Sequence, residues 1–271
     1  MSQTHPFFQS RPRIIGALHL PDLGVARETS MAWLEDYTLA NARIFADAGF
    51  PALMLQDQTR TQNEAEPVTI AIVSALGRLI RQAFPAMRLG IIVQAHDSIA
   101  PLAIAHATGA DFVRLKIFVG ASMTSEGPRT ALCTTARTYR HRIKAEQIAI
   151  FADVFDRTSV PMVDIPPEHA ALWAQSMGAD ALVLTGDTFA DSLARIAKAR
   201  AAGVKVPIVL GGSVTEENVG AALDAADAAI VSTALMRKGM RDTDLVRWDA
   251  DLAKNFAAKA ATVAKIANAA R

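Results

Sequence analysis

The sequence contains a single cysteine, Cys133, and only 6 % aromatic residues. One cysteine excludes an intrachain disulfide framework, so we expect a fold held by packing in a reducing compartment. The net charge is +1, from 28 basic and 27 acidic side chains, and gives no reason to expect a nucleic-acid partner. No apolar run approaches the roughly 18 to 20 residues that a membrane span requires.

The first thirteen residues, MSQTHPFFQSRPR, lack the apolar segment of a secretory signal peptide. We therefore expect a cytoplasmic protein in which residues 1–13 form a flexible N-terminal arm. About half of the chain is hydrophobic, and no linker rich in Pro, Gly and Ser divides it. Residues 14–271 are accordingly predicted to form one domain with a large core.

Short apolar segments recur along the chain, separated by segments with helical spacing. The predicted strands are 14–20, 52–58, 88–94, 112–120, 149–154, 181–186, 207–212 and 228–233. The predicted helices are 31–48, 67–83, 99–108, 129–145, 167–177, 188–202, 215–225 and about 244–269. Eight such units predict an α/β protein, a single-domain (β/α)₈ TIM barrel. An open doubly wound sheet is the alternative, but GALHLPDLG after the first strand does not have GxGxxG spacing.

The fourth predicted strand carries two cations, Arg114 and Lys116, among apolar neighbours. Because side chains alternate along a strand, the two share one face, and Val113 and Leu115 occupy the other. The apolar face suits the helices, so the cations are predicted to point into the barrel, with Lys116 nearer the carboxyl-terminal mouth where barrel active sites lie. Buried cations need partners, either carboxylates in a structural ion pair or an anionic ligand.

Other strand ends supply polar side chains at the same mouth. His19, Asp57 and Asp153 are candidates, with Lys116 and Arg114, for proton transfer or oxyanion stabilisation, and Gln94 is a candidate for substrate binding. Asp153 is predicted to lie beside Lys116. Schiff-base chemistry at Lys116 stays open. So does a divalent metal at His19, Asp57 or Asp153, although no HxH or HExxH spacing supports a metal site.

The seventh and eighth predicted strands end in small residues that are typical of phosphate sites. Barrels of this kind bind phosphate in the loops that follow these two strands, using backbone N–H groups, hydroxyls and a short helix. Glycine lets the backbone approach the anion closely, although the same glycines also suit a tight turn. The predicted substrate-binding residues in these loops and after the sixth strand are Thr185, Gly186, Gly211, Gly212, Ser213, Ser232 and Thr233. The loop VGASMTSEGPR (119–129) after the fourth strand is a candidate lid.

These motifs together resemble the BtpA/SgcQ family of barrel proteins, from Ile14 to about Gly239. The segments that carry the resemblance are GALHLPDLG, GADFVRLKIFVGASMTSEG, FADV, VLTG, GGSVTEENV and IVSTALMRKG. The resemblance implies a (β/α)₈ fold. It implies no single reaction, because some members are associated with photosystem I biogenesis and others with carbohydrate gene clusters.

The chain departs from the family pattern at the predicted mouth. The family tends to carry Glu-Asn at the end of the second strand, where this chain has Gln56 and Asp57, and Asn at the ends of the third and fourth strands, where this chain has Gln94 and Lys116. After the fifth strand the family tends to carry His and Lys, where this chain has Phe155 and Arg157. In the region of the eighth helix it tends to carry Lys, where this chain has Met236. The frame of the barrel is kept. These departures from the family pattern predict a divergent branch with its own ligand.

We interpret the sequence as a cytoplasmic, phosphate-binding barrel enzyme that acts on a sugar phosphate or a nucleotide-derived metabolite by isomerase or lyase chemistry. No redox cofactor is expected, and a homo-oligomer is expected because outer barrel helices often pack together. Two alternatives remain open. One is a non-catalytic assembly or biogenesis factor, and the other is a metal-dependent phosphate-ester hydrolase.

Overall fold

The computed structural model describes residues 5–9, 14–23, 30–155 and 157–269. Eight parallel strands close into a barrel, which confirms the predicted fold class. The strands of the barrel are β1 (Ile14–His19), β2 (Ala52–Gln56), β3 (Arg88–Ile92), β4 (Phe112–Leu115), β7 (Ala149–Asp153), β9 (Ala181–Leu184), β10 (Ile208–Leu210) and β11 (Ala228–Val231). Their order around the barrel follows the chain, with β11 beside β1.

Helices cross over between successive strands, as a right-handed parallel barrel requires. They are α2 (Met31–Asp47), α3 (Pro67–Ala83), α4 (Ile99–Thr108), α5 (Cys133–Arg142), α6 (Pro167–Ser176), α7 (Phe189–Ala201), α8 (Val219–Ala225) and α9 (Ala250–Ala269), with a 3₁₀ helix at Thr233–Leu235 and the short α1 (Pro6–Gln9) ahead of β1. Within the described ranges, every helix is too short or too polar to traverse a lipid bilayer.

The interior of the barrel is filled by aromatic rings at its amino-terminal end. The rings of Phe112 and Phe151 stack with centroids 4.4 Å apart. Gly90 lies against them on β3, where a Cβ atom would stand 2.1 Å from the ring of Phe112. Because a methyl group there would displace the aromatic layer, we attribute this glycine to close packing rather than to a turn.

The described part of the N-terminal segment corrects the expectation of a flexible arm over residues 1–13. Phe7 and Phe8 of α1 are buried, and the ring of Phe7 lies 4.9 Å from that of Phe112 and 5.2 Å from that of Phe151. Two large apolar side chains gain more from closing the bottom of the barrel than from exposure to water. Residues 1–4 and 10–13 lie outside the described residues.

A small antiparallel sheet covers one side of the mouth, and the sequence did not indicate it. It consists of β5 (Ala121–Thr124), β6 (Gly127–Thr130) and β8 (Val160–Pro161). The candidate lid is therefore a hairpin, closed by a hydrogen bond from Thr124 Oγ1 to the carbonyl of Gly127 (3.0 Å). The buried Arg129 anchors it by donating to the carbonyls of Gln94 and Thr61.

Three helix starts differ from their predicted positions for local reasons. Helix α5 begins at Cys133 instead of 129, because residues 127–130 form a strand of the hairpin. Helix α8 begins at Val219 instead of 215, after a turn in which the Asn218 side chain accepts from Thr215 N (2.8 Å). Helix α9 begins at Ala250 instead of 244, where the Asp249 carboxylate accepts from two N–H groups of the first turn.

The same type of Arg–Asp ion pair occurs before three alternate strands of the barrel, β4, β9 and β11. Asp180 accepts from Arg140 Nη1 (2.5 Å) and from Ile150 N (2.8 Å). Asp111 makes the same pair of bonds with Arg81 and Leu89 N, and Asp227 makes them with Arg200 and Ile208 N. Each aspartate lies in the turn before a strand and bonds both to the start of the preceding strand and to the helix before that preceding strand. These contacts fix neighbouring strands relative to each other, and the opposite ends of the strands form the mouth.

Candidate active site at the barrel mouth

A cavity of about 430 Å³ opens at the carboxyl-terminal ends of the strands. Ten of the thirteen residues predicted for the site border it: His19, Gln94, Arg114, Lys116, Thr185, Gly211, Gly212, Ser213, Ser232 and Thr233. They lie in or shortly after six of the eight strands. Alternation along β4 directs Arg114 inward, and all the others except His19 follow the ends of their strands, at the mouth of the barrel. A volume of this size is typical of a site for a small metabolite.

The cavity is strongly cationic although the chain as a whole is nearly neutral. Arg60, Arg114, Lys116 and Arg157 all line it. Among the described residues, no aspartate or glutamate lines it. Cations gathered in one concave site raise the local concentration of anions, so this arrangement favours a negatively charged ligand.

One of the four cations is neutralised from below. Arg114 donates to Asp153 through Nε (3.0 Å to Oδ2) and through Nη2 (2.9 Å to Oδ1). Asp153 is 1 % exposed and does not border the cavity. The structure therefore places Asp153 against Arg114 in a bidentate ion pair. Arg60, Lys116 and Arg157 are the other cationic side chains that line the cavity.

His19 is held at the end of β1 in a surrounding that favours its neutral form. The hydroxyl of Tyr37 donates to the His19 backbone carbonyl (2.8 Å), and the rings of His19 and Trp248 meet edge to face at 6.1 Å. Burial, with smaller effects from the positive charges of Arg247 and Arg114, lowers the pKa of His19 to about 4. At neutral pH this ring can donate one hydrogen bond and accept another without carrying charge.

We expect His19 to make the protein less stable as the pH falls from about 6.5 to about 4. The folded ring titrates near 4 and the unfolded one near 6.5, so the unfolded chain binds more protons in this window. The loss should reach about 2 kcal/mol, less than the full shift implies because the ring is only partly buried. Urea denaturation of wild type and His19→Gln at pH 7 and pH 4.5 measures it. An equal loss of stability in both proteins would contradict the assignment.

Thr185 brings an unsatisfied hydroxyl to the cavity. The residue is 5 % exposed, and its Oγ1 has no hydrogen-bond partner within the part of the chain that the structure describes. Gly211 makes room for it, because a Cβ atom there would stand 2.1 Å from Thr185 Oγ1. A buried hydroxyl without a protein partner costs free energy, and this one lies beside the cavity, where it is available to a group that enters.

Thr185→Val is expected to stabilise the free protein by about 1 kcal/mol and to weaken anion binding about tenfold. Valine keeps the shape and removes the orphan hydroxyl, so the two effects have opposite signs. Thermal unfolding and phosphate titration measure them, and Thr185→Ser, which keeps the hydroxyl, is the matched control. A variant that is destabilised and binds phosphate with unchanged affinity would refute this role.

Backbone strain also borders the cavity. Ile117, directly after Lys116, has a φ of 50°, and Ser213, directly after Gly212, has a φ of 60°. Both are non-glycine residues in the left-handed region, and such positions are costly unless their surroundings hold them. The Ser213 hydroxyl accepts from Arg157 Nη1 (3.1 Å), which links the loops after β7 and β10, the strands on either side of β9.

Ser232 borders the cavity, but its proton is already used. The hydroxyl donates to the backbone carbonyl of Ala17 (2.6 Å), which ties the end of β11 to β1 where the barrel closes. Only the oxygen remains to accept a hydrogen bond from a ligand. The structure therefore makes Ser232 a poorer anion donor than the sequence suggested.

Two further predicted residues, Asp57 and Gly186, lie away from the cavity lining. The buried Asp57 carboxylate accepts from Thr59 N (2.9 Å) and Gln94 N (3.3 Å), and burial raises its pKa. Gly186 donates its N–H to Ser192 Oγ (2.8 Å) at the start of α7. These contacts shape the loops after β2 and β9, which is a structural contribution to the mouth.

Sequence reasoning did not assign a site role to two of the cations, Arg60 and Arg157. Both follow strand ends, within a few residues of Gln56 and Asp153. Loops have no periodicity that reveals orientation, but a basic residue in a loop at the mouth of a barrel is a usable signal. Among the described residues, no three His, Cys, Asp or Glu side chains are grouped closely enough to hold a metal ion.

The comparisons with known proteins identify relatives over most of the chain. A model of the BtpA family matches residues 10–262. An uncharacterised protein of Archaeoglobus fulgidus is 30 % identical over 86 % of this chain and 95 % of its own length. The photosystem I biogenesis protein BtpA of Synechocystis is 26 % identical over 86 % of this chain and 83 % of its own length.

Solved structures share the fold at low sequence identity. Tryptophan synthase from M. tuberculosis superposes with a TM-score of 0.61 at 12 % identity, over 96 % of this chain and 98 % of that one. N-(5'-phosphoribosyl)anthranilate isomerase from Pyrococcus furiosus superposes with a TM-score of 0.53 at 15 % identity, over 92 % and 98 % of the two chains. These likenesses show the barrel fold alone.

Proposed function

The chain belongs to the BtpA family, and from that premise we propose that it is an enzyme that acts on a small phosphorylated metabolite. One observation carries the proposal. Four cationic side chains line a cavity at the mouth of the barrel, and no carboxylate lines it among the described residues. This lining favours a ligand that carries negative charge.

Phosphate is the anion that best fits the lining. Gly212 and Ser213 come from the loop after β10 and Thr233 follows β11, the seventh and eighth strands of the barrel, after which barrels of this kind bind phosphate. Arg157 joins them from the loop after β7, the fifth barrel strand. Arginine presents a planar fork that matches two phosphate oxygens, and lysine adds a point charge. The orphan hydroxyl of Thr185 supplies one more donor.

The remaining polar groups suit proton transfer next to a carbonyl, as in isomerase or lyase chemistry. As an ammonium group, Lys116 stabilises negative charge on a substrate oxygen and can donate a proton to that oxygen as a general acid. The neutral ring of His19 donates a hydrogen bond to the same oxygen without competing for the phosphate. Asp153 acts from below by holding Arg114 in place.

The positions that depart from the family pattern support a ligand specific to this branch. Gln56, Gln94, Lys116, Phe155 and Arg157 all line the cavity. Five of the seven departing positions therefore border the space that a ligand would occupy, and Asp57 and Met236 do not. Because the mouth differs from the family pattern, the substrate of this protein cannot be taken over from a relative.

A thermal-shift screen with phosphorylated metabolites and their unphosphorylated counterparts tests the proposal. A ligand at one hundred times its Kd stabilises a protein by about 2.7 kcal/mol, which is readily measured. We expect shifts with phosphorylated members only. Each ligand that binds is then incubated with the protein in D₂O, where NMR should show exchange of a carbon-bound proton.

The second candidate is a non-catalytic assembly factor, which the name of the Synechocystis relative favours. It predicts that phosphorylated compounds bind without proton exchange or turnover, or do not bind. The assembly-factor candidate is supported if substitutions of exposed helix residues abolish the biological activity of the protein while Lys116→Met retains it. For the third candidate, a metal-dependent hydrolase, the described residues contain no cluster of His, Cys, Asp or Glu side chains that could hold the metal ion.

A further inference from the structure

A second cavity, of about 470 Å³, adjoins the first one. His19, Gln58 and Arg60 line both, so the two spaces meet along these side chains. The remaining described residues that line the second cavity are Leu20, Pro21, Asp22, Thr59, Asp242 and Arg247. We call the first space the anion compartment and the second the outer compartment.

The outer compartment differs from the anion compartment in charge. It contains two carboxylates, those of Asp22 and Asp242, and one guanidinium besides the shared Arg60. Arg247 Nη2 lies 3.3 Å from Asp242 Oδ1, so the charge of this arginine is offset within the compartment. The arginine is also fixed by a contact from Nε to the sulfur of Met240 (3.1 Å). The outer compartment therefore does not favour a second phosphate.

Its lining suits a neutral, hydroxyl-rich group. Carboxylates and the amide of Gln58 accept hydrogen bonds from hydroxyls, and Gln58, Thr59 and Arg60 donate to them. Among the described lining residues no Phe, Tyr or Trp offers a platform for a nucleobase, which aromatic stacking stabilises. A sugar ring fits this chemistry better than a base.

The volumes indicate a ligand with two parts. The anion compartment alone has the size of a complete site for a small metabolite, and the outer compartment is of similar size. A phosphate with one sugar ring requires no more than one compartment of this size. A ligand that uses both must extend past His19, which stands where the two compartments meet.

We propose that the ligand of this protein is a phosphorylated saccharide of two rings, with the phosphate and first ring in the anion compartment and the hydroxyl-rich second ring in the outer one. The proposal rests on the proposed function, because the phosphate anchors the ligand. It makes Asp22 and Asp242 specificity-determining residues for the second ring. The bond between the rings passes beside His19.

Calorimetric titration with four probes tests this proposal: inorganic phosphate, glucose 6-phosphate, trehalose 6-phosphate and adenosine 5'-monophosphate. We expect wild type to bind trehalose 6-phosphate at least tenfold more tightly than glucose 6-phosphate. Asp242→Ala should remove that gain and leave the affinity for inorganic phosphate within twofold of wild type. Asp224→Ala, an exposed aspartate on α8, is the matched control and should change neither.

Each outcome separates the two proposals. Equal affinities for the one-ring and two-ring esters, or a gain that survives Asp242→Ala, would overturn the two-ring proposal while phosphate binding stands. Tighter binding of adenosine 5'-monophosphate than of trehalose 6-phosphate would overturn the choice of a sugar. If neither inorganic phosphate nor any ester binds wild type, the proposed function itself is wrong.

Discussion

Asp153→Ala is expected to lower the free energy of unfolding by about 3–5 kcal/mol. The carboxylate is 1 % exposed and holds Arg114 through both Nε and Nη2. Without it the guanidinium keeps its charge inside the barrel and loses its bidentate partner. A buried, unpaired charge is among the most costly defects that a single substitution creates.

Urea denaturation at pH 7 measures this loss, with Asp224→Ala as the control for removing an exposed aspartate. The double variant Arg114→Met, Asp153→Leu should recover most of the stability, because an apolar pair of similar volume often replaces a buried ion pair without loss. If Asp153→Ala unfolds at the same urea concentration as wild type, the pair does not have the structural role assigned to it.

Lys116→Met is expected to raise the Kd for inorganic phosphate about 100-fold, since truncating one partner of a desolvated charged contact typically costs 2–5 kcal/mol. Methionine keeps the length and the apolar stem of lysine and removes the ammonium group. Because Lys116 lines the cavity at the end of β4, the loss should appear as weaker binding with a retained fold.

Calorimetric titration of phosphate at fixed ionic strength measures the effect, and Lys254→Met on the exposed face of α9 is the matched control. Affinity should also fall as salt rises, and more steeply for wild type than for Lys116→Met. Equal phosphate affinity of Lys116→Met and wild type would show that this lysine does not contact the anion.

The fold was predictable because its signal is local and repeated. Helix α3 spans Pro67–Ala83 as expected, since a proline can begin a helix and a 3.6-residue apolar period continues from it. The hairpin of residues 121–130 was not predictable, because its sheet is completed by Val160 and Pro161, about thirty residues further along the chain. Pairing between distant segments leaves no period in either of them.

The site was predictable where strand alternation governs orientation. Arg114 and Lys116 share the inward phase of β4, and both line the cavity. Asp57 was misplaced although the same rule applies to it. Gln56 is in phase with the inward residues Ala52 and Met54, so Asp57 points the other way, into the loop contacts that bury it.

The features of the site that the sequence did not predict depend on contacts between residues far apart in the chain. Ser232 has the right type and place for an anion donor, yet its hydroxyl is taken by the carbonyl of Ala17, 215 residues away. Arg157 contacts Ser213 from a loop whose path no sequence pattern reveals. Sequence patterns locate the strand ends, but the partners that meet there are set by closure of the barrel.

The most direct test of the cationic cavity is a crystal structure of the protein soaked with tungstate, an oxyanion whose metal is located by anomalous scattering. We predict an anomalous peak inside the 430 Å³ cavity, with oxyanion oxygens within hydrogen-bond distance of Lys116 or Arg157 and of Thr185 Oγ1. A fully soaked crystal with peaks only outside this cavity would contradict the account.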